Sequence, residues 1–378
     1  MAIDRESSRH EGFAREDRVK SRGEESAGTV LTTLLSAFDQ TWQPFVLILG
    51  LILIGHCATS DGLFESLGAR LSTLPGGGVI LLVSMLALVA VVTATLNLDT
   101  SVVFVTPIVL HAARRRGVDE RAFLYGSIFM ANAASLLLLG SNLTNILVFT
   151  GRHVRGDAFA RTMFPEWISS IVLTAVVMIV WNWSNLRSST RAAPDDVPRF
   201  RLGVGLFGLC AATGLMLFLS NPALLVLGVG IVAEVVELVW LHRTNVGALV
   251  GVANIPLLGS LFGFALIVAV VARVWSYPAH LMASAGPWAT AAIGAGSANV
   301  INNLPASALL SSTLPSHPYE LLLGLDLGPN LLVIGAMSSL LWLRIARQNG
   351  ATPSIRTFSK VGAIVTIATL TAALLIIT

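Results

Sequence analysis

Charged residues are scarce in this chain. Asp, Glu, Lys and Arg make up 12% of its 378 residues, while apolar types make up 54%. A soluble domain carries about 25% charge. The charges that exist collect in tails and short loops, so an ordinary soluble domain is excluded and a polytopic helical membrane protein is expected. Cysteine is almost absent. Cys57 and Cys210 are the two thiols and lie in different segments. That excludes a disulfide framework and argues against a three-sulfur metalloid site; both read as small buried hydrophobes. The seven histidines are scattered, with no HExxH and no expected metal site. There is no Walker lysine motif, so the chain itself has no means of hydrolysing ATP. No nucleophile–base pair or metal triad falls on facing spans, which argues against an intramembrane enzyme. No cofactor is expected. The basic excess is small, a formal net charge of +3. Its arginines read as markers of cytoplasmic loops rather than as a nucleic-acid surface.

What is present is a series of apolar spans. They cover Trp42–Ala58, Val79–Leu96, Ala122–Leu139, Ile168–Trp183, Leu202–Leu219, Ala223–Trp240, Ile255–Ala272 and Val361–Ile377. Shorter arms at Val102–Ala113, Ile146–Thr150, Trp288–Ala298 and Ser307–Leu314 are too short to cross alone. Together they predict about ten to twelve membrane segments, with lipid as the surrounding partner. Residues 1–28 mix both signs of charge and predict a disordered cytoplasmic tail. Residues 185–201 carry Arg187, Arg191, Arg199 and Arg201 with two prolines. They are the expected cytoplasmic linker between a first repeat at 29–184 and a second at 202–378.

Polar runs interrupt the apolar stretches in both halves. The first half has Asn97-Leu98-Asp99-Thr100-Ser101 and Gly140–Asn145, the latter containing Ser141, Asn142, Thr144 and Asn145. The second half has Asn299–Pro305, containing Asn302 and Asn303, then Asp326–Asn330 with Gly335–Ser339. Lipid offers no hydrogen bonds, so broken backbone survives at that depth only when protein or a cavity surrounds it. Interrupted segments at matching places in two halves point to a transporter with its site near the midplane. Free helix ends and Asn, Ser and Thr side chains can replace the hydration shell of a small inorganic or anionic substrate. The same residues can instead cap broken helices or join neighbours.

Asp99 and Asp326 lie in or beside these runs. A carboxylate at a helix centre costs roughly 2.5–3.5 kcal/mol on insertion scales. Asp99 is the first choice for proton coupling; Asp326 is either a second coupling residue or a helix cap. Glu234 and Glu237 read as snorkelling to the interface or pairing with Arg243. Trp181 and Trp183, near Arg187, read as interfacial anchors. Gly203, Gly205 and Gly208 spell GxGxxG but lie in an apolar span, so helix packing explains them better than a dinucleotide.

The chain resembles the arsenite/antimonite efflux permeases of the ion transporter superfamily, relatives of citrate-type permeases and divalent-anion:sodium symporters. The resemblance is carried in order by Gly62–Glu65, by LNLDTSVVFVTP at Leu96–Pro107 and by SNLTN at Ser141–Asn145. It continues through NNLP at Asn302–Pro305 and GLDLGPNLLVIGAMSSLLW at Gly324–Trp342. It implies two inverted repeats, each with a re-entrant hairpin and a broken helix. Asp99 and Asn303 would occupy the hairpin tips. Asn142, Thr144 and Asn145 would sit at one break, with Ser338 and Ser339 at the other. It also implies proton-coupled efflux of As(III) or Sb(III) across the inner membrane. A cytosolic ATPase subunit and a second copy of the chain are its optional partners. Two features depart from the family pattern. Leu98 stands where the permeases have an Asn before the tip Asp, and the N-terminal side reads as one or two spans shorter. Transport of a carboxylate, sulfate or other anion with sodium or protons, or sodium/proton antiport, would use the same framework.

Overall fold

The computed structural model describes residues 42–152, 154–187, 203–241, 255–275 and 277–378, with a few isolated positions besides. The expected tail at 1–28 and most of the linker at 185–201 lie outside the described residues, as does Arg243. Among the described residues the regular elements are all helical. That is the form in which a chain satisfies its own backbone in lipid without closing a barrel. Five helices are long and apolar enough to cross a membrane: Trp42–Ser60, Gly78–Thr95, Gly156–Trp181, Ala223–Trp240 and Ile355–Ile377.

The first half runs α1 (Trp42–Ser60), α2 (Leu63–Ser72), α3 (Gly78–Thr95), α4 (Leu98–Arg115), α5 (Arg121–Ala134), α6 (Leu143–Phe149), α7 (Gly156–Trp181) and α8 (Trp183–Arg187). The second runs α9 (Val204–Phe218), α10 (Ala223–Val235), α11 (Ile255–Val274), α12 (Tyr277–Ser284), α13 (Pro287–Ile301), α14 (Asn303–Leu310), α15 (Pro318–Leu327), α16 (Met337–Gln348) and α17 (Ile355–Ile377). One order recurs. A helical hairpin (α3–α4, then α13–α14) is followed by a broken helix (α5–α6, then α15–α16) and a long span (α7, then α17). Within each half the broken helix packs on the hairpin, α5 on α3 and α4, and α15 on α13. Across the halves α7 packs on α17, α4 on α16, and α6 on α14 and α15.

The halves share one core. Trp342 of α16 is fully buried, with its indole N–H donating to Leu124 O at 3.0 Å. Tyr125 of α5 lies 5.7 Å from the Trp342 ring, and its hydroxyl accepts from Ser354 N at 2.8 Å where α17 begins. Two glycines permit backbone contact. A Cβ at Gly324 would lie 2.1 Å from Ala291 O, and one at Gly362 would lie 1.8 Å from Asn330 O. Outward faces stay apolar, as at Val172, Val176 and Val180 of α7 and Ile364, Ile367 and Leu375 of α17. Such stripes suit lipid.

Several expectations change. The short arm expected at Val102–Ala113 is the body of the longer α4, which starts at Leu98, so Asn97 sits at the hairpin tip. α7 begins at Gly156, ahead of the expected Ile168, with Asp157 in its first turn paired to Arg161 at 2.7 Å. In the second break α16 starts only at Met337. Glu234 does not snorkel. It is buried on α10 and meets His56 Nδ1 of α1 at 2.8 Å, a partner from another helix that satisfies its carboxylate inside the bundle. Glu237 is likewise buried, where the helix widens to a π turn over Val236–Trp240. Cys210 is exposed on α9, whereas Cys57 is buried. The Gly-rich run does serve helix packing, with Gly205 against the backbone of Cys57 and Ala58. Arg187 stacks on Trp183 at 4.9 Å.

Candidate functional site

Each interruption is built by the polar residues that the sequence places there. In the first hairpin tip, Asn97 caps α4, its Oδ1 accepting from Thr100 N at 2.7 Å. Thr93 Oγ1 donates to Ser101 Oγ at 2.8 Å and closes the hairpin behind the tip. In the second tip Asn302 takes φ 76°, the one positive φ among the described non-glycine residues. With ψ 149° this is a conformation that glycine alone adopts readily, so the surrounding bonds hold Asn302 there under strain. Here Oδ1 accepts from Leu304 N at 3.4 Å and Nδ2 donates to Ile334 O at 3.0 Å.

The first break, between Ala134 and Leu143, is stitched by side chains. Ser141 Oγ lies within hydrogen-bonding distance of Ser135 O and Leu138 O, which share its one proton. Asn145 Nδ2 donates to the same two carbonyls at 2.8 and 3.0 Å. Asn142 Oδ1 accepts from Thr144 N at 3.4 Å and so starts α6. The second break follows α15 through the 3-10 turns Gly328–Asn330 and Val333–Gly335. Asn299 Nδ2 holds Gly328 O at 2.8 Å, and Asn132 of α5 donates to Asn330 Oδ1 at 2.7 Å.

All four interruptions meet at one small cavity of about 20 Å³, lined by Leu98, Asp99, Asn142, Leu143, Thr144, Asn303, Leu304, Met337 and Ser338. That is room for about one water-sized group. The lining residues are the first positions of α4, α6, α14 and α16. Four helix N-termini therefore face one point. Their free N–H groups and positive dipole ends favour a ligand with negative or partly negative oxygens. The share of α6 is small, since it has only seven residues. Asp99 is the acid in the lining. Asp326, buried in the last turn of α15, sits just behind it: its Oδ1 accepts from Asn142 Nδ2 at 3.0 Å and from Thr144 Oγ1. Two lining residues thus touch the second acid directly.

The expected site residues fall into two groups. Asp99, Asn142, Thr144, Asn303 and Ser338 line the cavity. Asn97, Ser141, Asn145, Asn299 and Asn302 instead spend their hydrogen bonds on holding tips and breaks in shape. Thr100 and Ser339 are buried beside them, outside the lining. Several buried atoms here lack a protein partner: Asn97 Nδ2, Thr100 Oγ1, Asp326 Oδ2, Ser338 Oγ and Ser339 Oγ. They give the region unused hydrogen-bonding capacity. Sequence reasoning missed Leu98, Leu143, Leu304 and Met337 as lining. Their signal was position: each follows a helix-starting residue. It also missed the Asn132–Asn330 pair, which only tertiary contact reveals.

A family model described as citrate transporter matches residues 24–326, most of the chain. The chain belongs to the citrate transporter family. A second model, described as arsenical pump membrane protein, matches residues 312–378. Among curated relatives, the arsenical pump membrane protein of Escherichia coli K12 is 27% identical over 362 residues, covering 86% of this chain and 83% of that protein. An uncharacterized transporter of Mycobacterium tuberculosis H37Rv is 25% identical over 371 residues, with the same shares covered. Among solved structures, the YdaH transporter of Alcanivorax borkumensis, described as having an unusual topology, superposes with a TM-score of 0.60 at 14% identity. The match covers 93% of this chain and 88% of that one, and it bears on the fold alone. This member of the citrate transporter family is a multi-pass membrane transporter, built from two repeats of hairpin and broken helix.

Proposed function

We propose that the chain is a secondary active transporter exporting arsenite or antimonite across the inner membrane in exchange for protons. The observation that carries this reading is the meeting of two hairpin tips and two helix breaks around one small cavity holding Asp99. Helix N-termini and amide or hydroxyl side chains suit a small hydroxylated or anionic cargo. The curated relatives named as arsenical pumps favour the metalloid.

Asp99 is the proposed proton carrier at the cavity, with Asp326 as a second carrier reached through Thr144 and Asn142. A carboxyl that gains and loses a proton changes the charge seen by cargo, which couples the two fluxes. The arginine-rich loops support a cytoplasmic position for the Arg114–Arg116 end. Association with a cytosolic ATPase subunit or a second copy is compatible with this role.

The test is arsenite accumulation in cells lacking their own exporter. Expression of the chain should lower intracellular arsenic and raise tolerance; neither change would sink the substrate assignment. The citrate-transporter match over residues 24–326 favours one alternative, movement of a carboxylate or other anion with sodium or protons. Sodium-dependent uptake of such an anion into proteoliposomes, with no arsenite flux, would select it.

A further inference from the structure

A larger cavity lies away from the four-element site. Its volume is about 620 Å³, and it opens between α2 and α4. From α4 it is lined by Val103, Phe104, Pro107, Ile108, His111, Ala112 and Arg115. These positions recur at intervals of three to four residues, so they form one face of the helix. The same face continues toward the N-terminus: four residues before Val103 is Asp99, and four before Phe104 is Thr100. Asp99 lines the small cavity and Val103 the large one. At 1.5 Å per residue the two are about 6 Å apart along the axis, and Arg115 lies about 24 Å from Asp99. One helix face therefore runs from the small cavity to an open mouth.

The step between the two cavities is narrow and apolar. Phe104 stacks on the buried Phe64 of α2 with ring centroids 6.1 Å apart. Gly55 of α1 closes on the same place: a Cβ there would meet Thr100 Cγ2 at 2.7 Å and Phe104 Cε2 at 2.8 Å. Pro107 has no N–H, so the helix gives the Val103 carbonyl no hydrogen bond from that position. Glu65, His111, Arg115 and Asn349 make the mouth of the large cavity polar.

We infer that the α2–α4 cavity is the cytoplasmic access route to the four-element site, and that Phe104 is the barrier between them. This rests on the small cavity being the transport site. A small hydroxylated solute enters at the mouth, reaches Val103 and passes Phe104 when that ring leaves its stack on Phe64. Phe104 acts as a gate and positioning residue.

The test uses the full chain in membrane vesicles of both orientations, with Cys210→Ser in the background and the buried Cys57 as the unreactive control. The probe is a charged, membrane-impermeant thiol reagent. Val103→Cys and Ile108→Cys should label from the cytoplasmic side only. Thr100→Cys should label slowly, and adding Phe104→Ala should raise its rate about tenfold, as expected for removing a gate. Phe104→Leu, which keeps more of the packing, should give an intermediate rate and covers the case in which the alanine variant does not fold. The route is wrong if Val103→Cys is unreactive from that side or labels from the other. The gate is wrong if both Phe104 substitutions leave the Thr100→Cys rate unchanged. Labelled Val103→Cys should also lose arsenite efflux; retained efflux in a labelled, active carrier overturns the route. If the parent chain moves no arsenite, the functional reading fails, while the labelling rates still decide the route and the gate.

Discussion

Single residues carry separable tasks at the interruptions. Asp326 receives two side-chain donors on Oδ1, while its Oδ2 has no protein partner. Thr144→Val removes one of these donors. Interhelical hydrogen bonds of this kind average about 0.6 kcal/mol in membranes and reach about 1.7, so a loss in that range is expected in detergent melts. Asp99→Asn keeps the shape of the cavity lining but removes the titrating group. Arsenite efflux driven by a pH gradient should fall to background in vesicles while the melting temperature stays near that of the parent. A comparable loss of folded protein would instead make Asp99 structural. Asn302 lies in the left-handed region, where glycine is at ease and alanine is strained. Asn302→Ala should therefore lose more stability than Asn302→Gly, although both lose the bond to Ile334 O.

At the scale of elements, the loop between α4 and α5 shows how a helix start is fastened. Asp119 accepts from Arg121 N at 3.0 Å, from the Arg121 guanidinium at 2.6 Å and from Asn185 Nδ2 at 2.9 Å. The Arg121 bonds above all hold its carboxyl below the usual carboxylate range. A depressed value means that the stabilisation is present above about pH 4 and is lost as pH falls through the folded value. Arg121 is largely exposed, so the pair contributes less than about 1 kcal/mol after solvent screening. Asp119→Asn should lower the melting temperature slightly near neutral pH, and the difference from the parent should vanish at strongly acidic pH. The hairpins and breaks depend more on packing. Gly324→Ala puts a methyl 2.1 Å from Ala291 O, which is backbone and cannot swing aside. α13 and α15 would have to separate, and a loss of folded yield in membranes is expected.

At the scale of the molecule the two halves stand or fall together. Trp342 and Phe358 from the second half pack with Tyr125 and Phe129 from the first. Truncating a buried Trp to Ala costs about 3–5 kcal/mol. Trp342→Ala should therefore lower the stability of both halves in one transition, read by limited proteolysis at sites in each. Independent loss of the second half would show that the repeats fold separately.

The apolar runs, the charge-poor spans and the paired polar breaks were legible in the sequence, because lipid constrains hydrophobicity and hydrogen bonding along the chain itself. The positions of Asn97, Asn142 and Asn302 were legible for the same reason: a broken helix needs a cap. Only the tertiary structure decided how those caps divide the labour. Asn142 faces the cavity and Asp326, whereas Asn145 holds the carbonyls of its own break and Asn302 ties its tip to Ile334 O of the other break. It also turned Glu234 inward to His56, joined Asn132 to Asn330, and laid Asp99 and Val103 along one face between two cavities. Those facts join residues tens to hundreds of positions apart or depend on which way a helix faces its neighbours, and spacing along a single chain encodes neither.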